Sequence, residues 1–190
     1  MAIKEEELDR AFSEAAESGF GFIHDFAPEL LDPLQAVAEM QPSPLDDWQI
    51  IDRNERSDTL LMLQSLLLTH TTKLDPSSNL DFIHVKHRVG GYTHWHRDIT
   101  DDNLAGSGYE KGRFRAGFNL FGAVELGFEL EHGHRRQQEV ITPGTLYVMD
   151  YTHNTYHGSS PHPAKTQPTA KPERSNVLLL TDVARYSTSS

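Results

Sequence analysis

The strongest constraint on this chain is a change of hydrophobic period near Leu80. Upstream, apolar residues recur at helical spacing: Leu8, Ala11, Phe12, Ala15 and Ala16 share one face between Lys4 and Ser18, and Gly19 is a natural stop. Leu60, Leu61, Leu63, Leu67 and Leu68 repeat the pattern between Ser57 and Thr69, behind a Ser57 or Asp58 cap. Downstream come short strand-like runs separated by Gly, Pro and Asn: Phe82 to Val89, Arg113 to Ala123, Glu125 to Glu131, Gln138 to Ile141, Thr145 to Tyr151 and Asn176 to Ala184. No helical stretch lies between them to make parallel crossovers. The second part therefore reads as antiparallel β, a sandwich, barrel or jelly roll, with helices preceding it.

Smaller elements fill the lead-in. Phe20 to Phe26 is aromatic-rich and short enough for a strand, and Trp48 to Ile51 is another. Asp32 followed by Pro33 reads as the cap and first turn of a helix running through Leu34, Val37 and Ala38 until Pro42 and Pro44 end it. Asp101 to Gly112 and Ser159 to Pro172 read as loops. At 190 residues the expectation is a single domain, with residues 1–79 as supporting lead-in and 80–186 as the β core.

Composition removes several function classes. Without cysteine there is no disulfide, thiolate metal site or cysteine nucleophile, and the cytoplasm is the expected compartment. The longest apolar run, Leu60 to Leu68, is interrupted by Gln64 and Ser65, too short for a membrane span, and the acidic start is unlike a signal peptide. The net charge is −11, and nucleic acid is not an expected partner for so acidic a chain. The oddity is 11 histidines, because histidine is the commonest metal ligand and a frequent acid–base group.

The sharpest motif is His96-Arg97-Asp98. In an extended chain residues i and i+2 project to the same side, so an imidazole and a carboxylate can converge on one cation. A histidine from another strand would complete a 2-His-1-carboxylate set with open positions, the pattern of non-haem Fe(II) oxygenases. His157, beside Gly158 just past Thr145 to Tyr151, is the leading third ligand, with His153 and His162 close by.

These parts, in order, resemble the Fe(II)/2-oxoglutarate-dependent dioxygenases, particularly their compact, prolyl-hydroxylase-like branch. The resemblance covers most of residues 19–184. It rests on Gly19 to Met40 as the lead-in, Val89-Gly90-Gly91-Tyr92 running to His96 and Asp98, and Phe118-Asn119-Leu120-Phe121 as a core strand. Pro143-Gly144-Thr145-Leu146-Tyr147-Val148-Met149 then leads toward the distal histidine, and Arg174-Ser175-Asn176 opens the last strand. The resemblance implies a double-stranded β-helix (jelly roll, cupin-like) and an oxidoreductase that uses Fe(II), 2-oxoglutarate and O2. It implies His96, Asp98 and His157 as metal and catalytic residues, with oxidative decarboxylation of 2-oxoglutarate to succinate coupled to hydroxylation of a C–H bond.

It also implies a buried cation for the cosubstrate's 5-carboxylate. Arg174 matches best, since its planar fork suits a carboxylate, although the interval from His157 is longer than usual and Lys165 and Lys171 fall inside it. Tyr92 and Asn119 are expected beside the cosubstrate. His94, Arg97, Arg113 and Arg115 flank the expected pocket and suggest a small, carboxylate-bearing substrate, with a peptide also open. Two other readings remain: a cupin-type metalloenzyme that uses His94 with His96 and no 2-oxoglutarate, and a non-catalytic jelly-roll binding module.

Overall fold

The computed structural model describes residues 5–40, 48–50, 57–74, 76, 79–88, 93–97, 109–130, 135–153, 155–161 and 176–186. The expected amphipathic lead-in forms α1 (Glu5–Ser18), which buries Leu8, Ala11, Phe12 and Ala15. After β1 (Phe20–Ile23) comes α2 (Pro28–Met40), which begins before the Asp32–Pro33 start that the sequence suggests. Ala27 takes a left-handed conformation (φ 42°) and its carbonyl accepts from Leu30 N at 2.9 Å, so the chain turns into a helix at Pro28. A proline at the first helical position loses no hydrogen bond. Pro33 deprives only the exposed first turn of a donor, at Glu29.

α3 (Asp58–Leu74) buries Leu60, Leu63, Leu67, His70 and Thr71. The strands follow as β2 (Trp48–Ile50), β3 (Asn79–Arg88), β4 (Thr93–His96), β5 (Tyr109–Phe121), β6 (Val124–Leu130), β7 (Arg135–Ile141), β8 (Leu146–Asp150), β9 (His157–Pro161) and β10 (Asn176–Tyr186). Two differ from expectation. β5 starts inside the loop expected at Asp101 to Gly112, because Tyr109 to Lys111 pair with Ala184 to Tyr186. β9 occupies Ser159 to Pro161, also expected as loop, because these residues pair along β6. In both cases a neighbouring strand supplies the backbone partners that polar local sequence does not advertise.

Pairing is antiparallel throughout the two sheets. One has six strands in the order β1-β8-β5-β10-β3-β2, and the other four in the order β4-β9-β6-β7. Strand alternation gives the larger sheet two distinct faces. Phe114, Ala116, Phe118 and Leu120 of β5, with Leu146 and Val148 of β8, pack against the helices in one buried cluster with Leu8, Phe12, Leu34, Leu60 and Leu63. Gly21 of β1 brings α1 close, since a Cβ there would overlap the Ala11 carbonyl. The opposite, inner face presents Phe20, Met149 and Tyr151 to Val124, Leu126, Phe128 and Ile141, which come from β6 and β7 of the smaller sheet. The helices thus cover one side of the large sheet, and the small sheet covers the other. No helix among the described residues is long and apolar enough to cross a membrane.

Candidate metal centre

Both expected histidines stand at the same level of the small sheet. β4 and β9 are antiparallel neighbours with His96 directly opposite His157, and Thr93 opposite Ser159. Three steps along β4 therefore match two along β9, which defines a β-bulge at His94–Trp95. His157 in turn lies opposite Phe128, whose side chain is part of the inter-sheet cluster. The imidazole of His157 meets the ring of Phe20 edge-on, with centroids 5.6 Å apart, so an aromatic wall from the large sheet backs it.

The two imidazoles have centroids 4.5 Å apart and planes at 48°. A cation bonded to two imidazole nitrogens at about 2.1 Å and near right angles, each ring centre about 1.1 Å behind its nitrogen, sets the centroids roughly 4.5 Å apart. The centroid separation matches that of two imidazoles on one metal ion.

Each ring is also set in the same tautomer. His96 Nδ1 lies 2.7 Å from the His94 carbonyl and His157 Nδ1 lies 2.9 Å from the Thr155 carbonyl. A carbonyl only accepts, so in both rings Nδ1 carries a proton, and in the neutral ring the lone pair that a metal takes is then on Nε2. Backbone carbonyls in this role orient metal-binding histidines and raise their basicity. The bulge supplies the first of these carbonyls, and the connection from β8 to β9 supplies the second.

The other expected site residues divide three ways. Asp98, Tyr92 and Arg174 lie outside the described residues, as does the side chain of Arg113, whose backbone is in β5. Among the described residues no group of three candidate ligands assembles, so the described part of the centre is the histidine pair. Arg115 lies in the inner-face row of β5, across from Met149, and its guanidinium sits 5.2 Å from the centre of the Tyr151 ring. It is only partly exposed. Phe20 is the next strand neighbour of Met149, so Arg115 stands two strand spacings, about 10 Å, from the residue that touches His157.

Arg97, expected beside the pocket, lies instead on the outer side of the small sheet. Its guanidinium is 5.6 Å from the Tyr156 ring, and Trp95 packs on the same ring and into the space left by Gly127. Alternation around His96 forces this: Trp95 and Arg97 take the side away from it. His94 is exposed and reaches the centre through its main-chain carbonyl. Asn119, expected at the cosubstrate, is fully buried and its amide nitrogen donates to Gly122 O at 2.8 Å and Ile141 O at 3.3 Å. That amide ties the β5–β6 turn to β7, because the turn's carbonyls need a donor once the small sheet covers them.

Sequence reasoning missed Phe20 as the wall of His157 and Tyr147 as its neighbour across the large sheet. Tyr147 lies over Gly117, where any Cβ would collide with the ring, and its centroid is 6.5 Å from that of Phe20. A glycine opposite a tyrosine in neighbouring strands was the available signal.

No protein-family model matches the chain, and no curated protein matches it. Solved structures do. A prolyl-4-hydroxylase from Pseudomonas putida superposes with a TM-score of 0.64 at 20% identity, over 94% of this chain and 98% of that one. The epimerase SnoN of nogalamycin biosynthesis, in complex with Fe3+, alpha-ketoglutarate and nogalamycin RO, gives 0.61 at 13% identity over 95% and 84%. HygX from Streptomyces hygroscopicus, with nickel and 2-oxoglutarate bound, gives 0.62 at 10% over 94% and 87%. The chain therefore has the fold of the Fe(II)/2-oxoglutarate-dependent oxygenases.

Proposed function

We propose that this protein is a non-haem Fe(II)- and 2-oxoglutarate-dependent oxygenase, built as a single double-stranded β-helix domain, that hydroxylates a C–H bond of a small carboxylate-bearing substrate. The observation that carries the reading is the registered pair His96 and His157, with both rings held in the Nδ1–H tautomer by main-chain carbonyls. Metal-ligating histidines are held in this way, by a main-chain carbonyl on the ring nitrogen away from the metal. Asp98, two residues beyond His96, completes the set in this reading.

Bound there, iron with 2-oxoglutarate supplies the oxidising power by coupling O2 reduction to decarboxylation of the cosubstrate. The chain's own work is different. His96 and His157, with Asp98, would hold the metal ion. Phe20 and Phe128 line the His157 side with apolar surface and limit water near a reactive centre. Arg174 takes the cosubstrate's 5-carboxylate, with Tyr92 beside it. Arg115, held over Tyr151 on the inner face, takes a carboxylate of the substrate, and Arg113, two residues along the same strand, supports it.

The test is anaerobic titration of metal-free protein with Fe(II) and then 2-oxoglutarate, following the weak visible charge-transfer band of the chelate, with His96→Ala as control. The band is expected in wild type and absent from the variant. Fe(II) binding without a band overturns the 2-oxoglutarate assignment, and no Fe(II) binding overturns the metal centre.

A further inference from the structure

We propose that the junction between α1 and β1 is a positioning device for His157, acting through the carbonyl of Thr155. The inference rests on the reading of His157 as a metal ligand and adds what controls it. The connection from β8 to β9 is fastened to this junction repeatedly. Asp150 N donates to Gly19 O at 3.0 Å, and His153 Nε2 donates to Ala16 O at 2.8 Å, in the last turn of α1. Thr155, 8% exposed, lies against Gly19: a Cβ at position 19 would overlap Thr155 Oγ1 and come 3.4 Å from His153 Cβ. The start of the connection is braced by Asp150 Oδ1, which accepts from Thr152 N at 2.8 Å and Thr152 Oγ1 at 2.6 Å.

Gly19 itself has φ +92°, a conformation that side chains disfavour, and its N–H closes α1 on Ala15 O at 2.8 Å. One glycine therefore ends the helix, admits Thr155 and sets where the Thr155 carbonyl meets His157 Nδ1. The orienting carbonyl of His96 comes from the bulge in β4 itself. The docking of α1 on the sheet thus governs one metal ligand and spares the other. It links a helix of the lead-in to metal affinity.

Long-range 1H–15N NMR of the full metal-free chain reports the tautomer of each histidine. In wild type His96 and His157 should both carry the proton on Nδ1. In His153→Ala and Gly19→Ala, the His157 signal should move toward the other tautomer while His96 keeps its own. Anaerobic Fe(II) titration should show affinity about 10- to 100-fold weaker for Gly19→Ala, the usual loss when a ligand's supporting shell is disturbed, and about two- to tenfold weaker for His153→Ala, which removes one hydrogen bond. Gly19→Ala strains the backbone; should it not fold, His153→Ala, an exposed change outside the metal site, decides alone. An unchanged His157 tautomer and Fe(II) affinity in folded His153→Ala overturns the proposal, as does an equal shift at His96. A wild-type chain with both expected tautomers that takes up no Fe(II) overturns the metal reading, while the tautomer comparison still judges the coupling.

Discussion

The two faces of β5 and β8 are built from the same strands and do different work. On the helix side Phe114, Phe118 and Leu146 are each 1% exposed and Val148 is fully buried, within one apolar cluster. On the inner side the same strands present Arg115, Tyr147 and Met149, with Tyr151 just past the end of β8, a mixture of aromatic, sulfur and cationic groups that includes partly exposed ones. Burial of this completeness on the first face is worth about 1.5–3 kcal/mol for each large side chain. The second packs Phe20 on Phe128, with ring centroids 4.9 Å apart, next to the histidine pair. Under the proposed function, stability and chemistry are carried on opposite sides of one sheet. Substitutions on the two sides should separate cleanly.

The largest expected effect is on the helix side. Phe118→Ala, which removes a ring that meets Phe26 edge-on at 5.9 Å, should cost about 3–5 kcal/mol in denaturant unfolding. Fe(II) affinity of the protein that remains folded should be unchanged. A loss of metal affinity with intact stability would break the division of labour. His157→Ala should do the reverse: it abolishes tight Fe(II) binding and, in the metal-free protein, changes stability by about 1 kcal/mol or less, because the ring is only half-buried.

The sequence made much of the helix side legible and less of the inner side. Periodicity in α1 and α3 and alternation in β5 and β8 are local signals repeated over many residues, so Leu8, Phe12, Leu60, Phe114 and Phe118 stand out as core without knowledge of their partners. That His96 and His157 come together was legible through the order of motifs around them. The features that orient them were not. The bulge at His94–Trp95 exists only in the register of β4 against β9, and the Thr155 carbonyl is placed by Gly19, far off in the chain. The early start of α2 at Pro28 had a local signal in that proline, and the Asp32–Pro33 pair masked it by looking like a better one.

A smaller effect belongs to the helix layer. Asp9 of α1 accepts from His70 Nδ1 at 2.7 Å and from Lys73 Nζ at 3.1 Å, both in α3, and these partners hold its carboxyl below the usual value, His70 first. A carboxylate depressed in the folded state adds stability above its unfolded pKa of about 3.9, and that stability is lost as pH falls through the folded value. Asp9 is 53% exposed, so solvent screening limits the contribution to about 1 kcal/mol or less. Asp9→Asn keeps an acceptor for His70 and should lower stability at neutral pH by that amount while flattening its decline below about pH 4. Fe(II) affinity should not move. An acid limb identical to wild type in Asp9→Asn would show that the α1–α3 pair carries none of the pH dependence.

The smallest expected effect tests the inner side most sharply. If His94 and His96 both bound the metal, as a cupin-type centre would require, His94→Ala would remove a ligand and abolish Fe(II) binding. In the structure the side chain of His94 is exposed, and what it gives to the centre is a main-chain carbonyl on His96 Nδ1. Alanine keeps that carbonyl and suits the extended backbone, so His94→Ala should bind Fe(II) within about twofold of wild type, a change of less than 0.5 kcal/mol. The long-range 1H–15N readout extends the comparison: the His96 tautomer should be the same in His94→Ala and wild type. A large loss of Fe(II) with that tautomer intact would make the imidazole of His94 a ligand and replace the two-histidine centre with a three-histidine one.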